Sequence, residues 1–180
     1  MTDRAVKTFK PKQHRLETPT DLGSNATKDI AIALNALLAD TFALFLKTKN
    51  FHWHVGGPHF RDYHLLFDEQ SVEILAMTDE IAERVRKIGE CTLRSIGEIA
   101  RRQRLEDNDA ANVDALDMLT ELRENNLRLI ASMRHARDVC AGHQDVAGAG
   151  LLDNFIDQAE KRVWLRHESS RARESAGAEI

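Results

Sequence analysis

Between Ile30 and Thr48 the side chains Ile30, Leu34, Leu37, Thr41, Leu44, Phe45 and Thr48 recur at intervals of three and four, and His52 takes the next place on the stripe. Such a set shares one face only in a helix, because a strand repeats every two residues. Gly56, Gly57 and Pro58 end the pattern, the proline also restricting the residue before it. It resumes from about Phe60 to Ile88 through Tyr63, Phe67, Ile74, Ile81, Val85 and Ile88, with Gly89 as terminator. Ser24 or Asn25 is the expected cap of the first helix.

The remaining chain repeats this theme less regularly. Residues 90–108 hold one short helical stretch, SIGEIARR. A third long helix is expected from Asp109 or Asn112 to Ala141, closed by Gly142, and a fourth from about Asp145 to Arg171. Three prolines, nine glycines and one tyrosine supply few of the turns and strand formers an all-β fold needs. The fold class is therefore all-α, a four-helix bundle with one long middle connection carrying a short helix. The 180 residues suit one domain: an arm over 1–23, a bundle over 24–173 and a short tail over 174–180.

Charge is unevenly placed. Arg4, Lys7, Lys10, Lys12 and Arg15 face Asp3 alone in the first sixteen residues, making +4 and leaving −8 for the rest of a chain totalling −4. A basic arm on an acidic body suits non-specific contact with DNA phosphates. The two cysteines, Cys91 and Cys140, form no C-x-x-C pair, and the first fifteen residues lack an apolar signal core. The apolar run IAIALNALLADTFALFL is interrupted by Asn35 and Asp40 and is too short and too patterned for a membrane span. A cytoplasmic protein with reduced thiols is expected, associated with the nucleoid if the arm binds DNA.

Chemistry concentrates around the break. Four of the eight histidines, His52, His54, His59 and His64, lie within NFHWHVGGPHFRDYH. His52 and His64 flank the Gly-Gly-Pro turn, where two antiparallel helices can bring them together. Asp79 and Glu83, four residues apart, share a helix face further along. His64 and Asp79 occupy one helix, however, and fifteen residues at 1.5 Å each put them roughly 22 Å apart. One chain cannot join these halves. Fifteen residues also leave them only about 60° apart around the axis. Two copies packed about a dyad near Val72 and Leu75 would therefore set His64 of each against Asp79 and Glu83 of the other. Two histidines and two carboxylates suit iron, manganese or zinc.

The run HWHVGGPHFRDYHLLFDEQ, followed by TDEIAERVRKIG, closely resembles the Dps family, the DNA-protection-during-starvation proteins or mini-ferritins. The family pattern is His-Trp-Asn, a Gly-Pro-x-Phe turn, a histidine twelve residues after the first, and Asp-x-x-x-Glu-Arg. His52, Trp53, Gly57, Pro58, Phe60, His64, Asp79, Glu83 and Arg84 fall at those places, and the motif covers residues 49–89. The resemblance implies a ferritin-like bundle and a ferroxidase centre between subunits, two irons held by His52 and His64 of one chain and Asp79 and Glu83 of its partner. Trp53 and Asp68, with Lys49 as a weaker candidate, match positions neighbouring the ligands. It further implies Fe(II) oxidation, with hydrogen peroxide preferred, and ferric mineral stored in a homododecamer built from twofold dimers. Glu121, Glu124 and Asp117 are candidate pore residues.

The chain departs from the pattern at His54, where the family commonly has asparagine. Position 54 points about 200° away from position 52 on a helix, so a hydrogen-bonding or surface role is expected. His59 reads as a cap or turn residue. Ferritins with an in-bundle site use Glu-x-x-His pairs, and this sequence has none. A zinc hydrolase built on His52-x-His54 is disfavoured because His52 completes a helical stripe. A DNA-compacting protein with secondary iron chemistry is the main alternative.

Overall fold

A computed structural model of the chain describes residues 18–171, which form five helices. They are α1 (Ser24–His54), α2 (Phe60–Lys87), α3 (Ile96–Arg102), α4 (Ala115–Gly142) and α5 (Val146–Ser170). The five basic arm residues and the tail over 174–180 lie outside the described residues.

The stripes read from sequence are buried, except that Phe45, His52 and Tyr63 are half-buried. Ile30, Leu34, Leu37 and Leu44 of α1 meet Phe67, Ile74, Ile81 and Val85 of α2 and Leu119, Leu122, Leu129 and Met133 of α4 in one core. Burying each large aliphatic side chain contributes roughly 1.5–3 kcal/mol relative to exposure. α1 has the length and hydropathy of a membrane span, but its apolar face is consumed by this core.

α1 packs on α2 and α4, α4 packs on α5, and α3 rests on α1, while the α2 and α5 backbones meet only sparsely. Cross-contacts fix the directions. Lys47 reaches Glu121 while Asp29 reaches His143, so α1 and α4 run antiparallel. Arg162 reaches Glu73 and Arg84 reaches Asp145, so α2 and α5 also do.

The helix ends follow local chemistry. Ser95 caps α3 by accepting from Glu98 N at 3.2 Å, and Asp145 caps α5 by accepting from Gly148 N at 2.8 Å. Gly89 ends α2 with φ +87°, whereas the α4–α5 turn puts its left-handed residue at Gln144, φ +61°. At α1 the N-cap is Gly23, not Ser24 or Asn25. The largest difference from expectation is α4, which begins at Ala115 after Asp114. The preceding segment is held out of helix instead: Asp40 grips Arg104, the Glu106 carbonyl accepts from Lys47, and Asn108 bonds Glu121 at 2.6 Å. Those tertiary contacts outweigh the helix propensity of Ala110 and Ala111. Residues 18–23, grouped with the arm by sequence, lie on the body: Leu22 packs against the core and Thr18 Oγ1 donates to the Arg86 carbonyl at 3.1 Å.

Candidate metal centre

The α1–α2 turn brings His52 and His64 together as a stacked pair, ring centroids 3.8 Å apart and planes at 24°. Each imidazole is held by the backbone of the other residue. His52 Nδ1 lies 2.8 Å from the His64 carbonyl, and His64 Nδ1 lies 2.9 Å from the His52 carbonyl. A carbonyl oxygen can only accept, so Nδ1 carries the proton in both rings. In the neutral imidazole Nε2 then keeps its lone pair, the arrangement a metal ligand requires.

Asp68 stands at the edge of this pair, Oδ1 3.8 Å from His52 Nε2. Lys49, three residues before His52 on α1, donates to the same carboxylate oxygen. This hydrogen bond with the Lys49 ammonium, aided by the positive charge of that group and opposed by desolvation, holds the Asp68 carboxyl below the usual carboxylate range. Trp53 is exposed at the end of α1. His54 turns its Nδ1 back to the Asn50 carbonyl at 2.8 Å and is exposed, the hydrogen-bonding surface role expected of it. His59 occupies the N-cap position of α2, but its side chain makes no cap hydrogen bond and instead lies beside the Tyr63 ring.

Asp79 and Glu83 sit further along α2, both exposed, with Glu83 paired to Lys87 at 2.9 Å. Within the single chain they do not join the histidines, and among the described residues no three metal-ligating side chains gather into a site. Between the two halves Val72 is 61% exposed and Leu75 42%, an apolar strip on an otherwise charged helix face.

Sequence reasoning missed several residues that shape this region. Lys47 is buried and its ammonium bonds Glu121 at 2.7 Å, so one of the three candidate pore acids is ion-paired within the chain, while Glu124 and Asp117 are exposed. Arg84, next to Glu83, pairs with the buried Asp145 and ties this turn of α2 to the start of α5. Arg162 and Arg166 are fully buried in the bundle. Burial of charged residues is not signalled by composition; the only hint was their place on the stripe of Leu152, Phe155 and Ala159.

Residues 32–168 match the ferritin-like domain family, which defines the class of this fold. Among individual relatives, a DNA protection during starvation protein of Brevibacillus brevis is 30% identical over 136 residues, 76% of this chain and 91% of the relative. A DNA protection during starvation protein 1 of Deinococcus radiodurans is 29% identical over 76% of the chain and 66% of its own length. A solved Dps structure from Bacillus brevis superimposes with a TM-score of 0.78 at 28% identity, covering 82% of this chain and 98% of that one. An archaeal Dps homologue from Halobacterium salinarum gives a TM-score of 0.83 at 23% identity over 92% and 93%, a likeness of fold. The chain belongs to the Dps family of ferritin-like proteins.

Proposed function

We propose that the protein is a ferroxidase that oxidises Fe(II), preferably with hydrogen peroxide, at sites shared between twofold-related subunits. The observation that carries this reading is the reciprocally locked His52–His64 pair across the α1–α2 turn, both Nε2 lone pairs left available, with Asp79 and Glu83 exposed further along α2. Exposed Val72 and Leu75 supply an apolar centre for the dyad. Fe(II) is substrate here. Two Fe(II) ions each give up one electron to the O–O bond of one peroxide; with two protons, that bond breaks to two waters and two Fe(III). Keeping both electrons in one site avoids release of a hydroxyl radical.

In this scheme His52 and His64 bind through Nε2, and Asp79 and Glu83 of the partner supply negative charge that favours Fe(III) over Fe(II). Asp68, kept ionised by Lys49, adds a carboxylate at the histidine edge, and Trp53 shields the rim. The ferric product is stored in a hollow homododecamer in the cytoplasm. DNA contact through Arg4, Lys7, Lys10, Lys12 and Arg15 is a second reading, favoured by the +4 charge of that segment. Peroxide-driven Fe(II) oxidation by wild type, His52→Ala, His64→Ala and Asp79→Ala tests the site. Losses of about tenfold or more are expected in each variant; equal rates in all four would remove the assignment.

A further inference from the structure

The interior between α2 and α5 carries more positive charge than its partners balance. Arg162 and Arg166 are both fully enclosed, and among the described residues Glu73, 40% exposed and 3.3 Å from Arg162 Nη1, is the one carboxylate paired with either. Arg162 spends its other groups on Asn126 Oδ1 at 3.1 Å and the Met77 sulfur at 3.5 Å. Arg166 donates from Nη1 to the Leu122 carbonyl at 2.8 Å, but its Nε and Nη2 have no partner among the described residues. Burial and the neighbouring Arg162 charge, opposed by Glu73, push the Arg166 guanidinium down to about 9, which still leaves it charged at neutral pH.

On α2, Gln70 has the same deficit. It is 1% exposed, and neither its Nε2 nor its Oε1 has a hydrogen-bond partner among the described residues. It lies on the buried face of α2 with Ile74 and Met77, at spacings of four and seven. Because α5 runs antiparallel, with Arg162 beside Glu73 and Met77 and with Ser169 O accepting from Tyr63, Arg166 stands level with Gln70. The seam is the one in which neighbouring backbones stand apart, so long side chains rather than close helix packing fill it. Buried polar atoms are ordinarily paired, and an unpaired cationic donor is the most costly exception.

We propose that the α2–α5 seam binds a small monovalent anion of chloride size, held by Arg166 Nε and Nη2 and by Gln70 Nε2. Three donor atoms and one uncompensated positive charge ask for an acceptor that is itself negative, which a water alone is not. The fourth unpaired atom, Gln70 Oε1, is an acceptor and takes a hydrogen from a water beside the anion. A cation is excluded from the same place by both guanidinium groups.

The test uses the full-length assembled protein, melted in sodium chloride and in sodium gluconate at matched ionic strength. A specific site gives a saturable rise of roughly 2–4 °C in chloride over gluconate. Gluconate, the more strongly hydrated anion, would favour the opposite order through general salt effects. Gln70→Leu, which keeps the volume and removes the amide, should flatten the chloride dependence. Crystals grown in bromide should show an anomalous peak within hydrogen-bond distance of Arg166. Equal melting in the two salts, an undiminished chloride effect in Gln70→Leu, or density at Arg166 without an anomalous signal would each overturn the proposal. The crystallographic arm stands even if Gln70→Leu fails to fold.

Discussion

Mixing two inactive variants provides the sharpest trial of the shared site. His52→Ala removes the histidine half from a chain and leaves its Asp79 and Glu83 intact; Asp79→Ala does the reverse. Along α2 the halves are roughly 22 Å apart, so neither chain can repair itself. In a mixed twofold dimer one site receives His52 from one chain and Asp79 from the other, both native, while the second site lacks both. Random reassortment of an equal mixture puts about half the dimers in mixed pairs with one working site of two, so about a quarter of the wild-type oxidation rate should return. The assay is peroxide-driven Fe(II) oxidation after dissociation and reassembly, with differently tagged chains to verify exchange. A mixture that exchanges fully yet oxidises no faster than either parent would refute the cross-subunit geometry.

Five further outcomes follow from local structure. Cys140 is buried, and burial together with the nearby Asp145 pushes its thiol up to about 12 from an ordinary 9.0. A thiol reagent at pH 8 should therefore label Cys91 alone in the native chain and both cysteines in denaturant. The folded state holds that proton more tightly than the unfolded one, so stability is full below pH 9 and falls as pH rises toward 12, readable in urea melts. Gly148→Ala would press a Cβ within 2.9 Å of the Cys140 sulfur and closer still to the Asp145 carboxylate, costing roughly 1–3 kcal/mol in chemical denaturation; an unchanged midpoint would contradict the packing described. Arg104→Ala keeps the residue-104 N–H on Asp40 Oδ1 but strips both guanidinium donors from the buried Oδ2, and should cost about 1.5–3 kcal/mol, toward the lower end because that backbone bond remains and Arg104 is half exposed. Lys49→Met should return the Asp68 titration toward the ordinary carboxylate range, followed by NMR of labelled aspartate; no upward movement would show that Lys49 does not hold it.

What the sequence made legible were features written in short-range periodicity. The stripes from Ile30 to His52 and from Tyr63 to Ile88 became buried helix faces, and Gly56 to Pro58 became the turn that stacks His52 on His64. Helix rise alone separated His64 from Asp79. Illegible were outcomes decided by partners distant in the chain. The late start of α4 depends on Asp40 and Lys47 seizing the segment around Arg104 and Glu106, some sixty residues away. Glu121 reads as a surface acid until Lys47 is found beside it. Arg162 and Arg166 obey the helical stripe while violating the expectation that arginine stays in water, and the stripe prevailed.

The length of α2 between its histidine and carboxylate ends has a consequence for when chemistry is possible. A newly made or diluted chain carries a rigid pair of imidazoles at one end and, at the other, a glutamate already occupied by Lys87. On the proposed reading neither end alone encloses an ion, so oxidising capacity appears only with pairing. Rate per chain should then fall with dilution below the dimer dissociation constant, tracking the fraction of paired subunits. Assembly itself becomes the gate that keeps Fe(II) and peroxide from meeting on an unprotected chain.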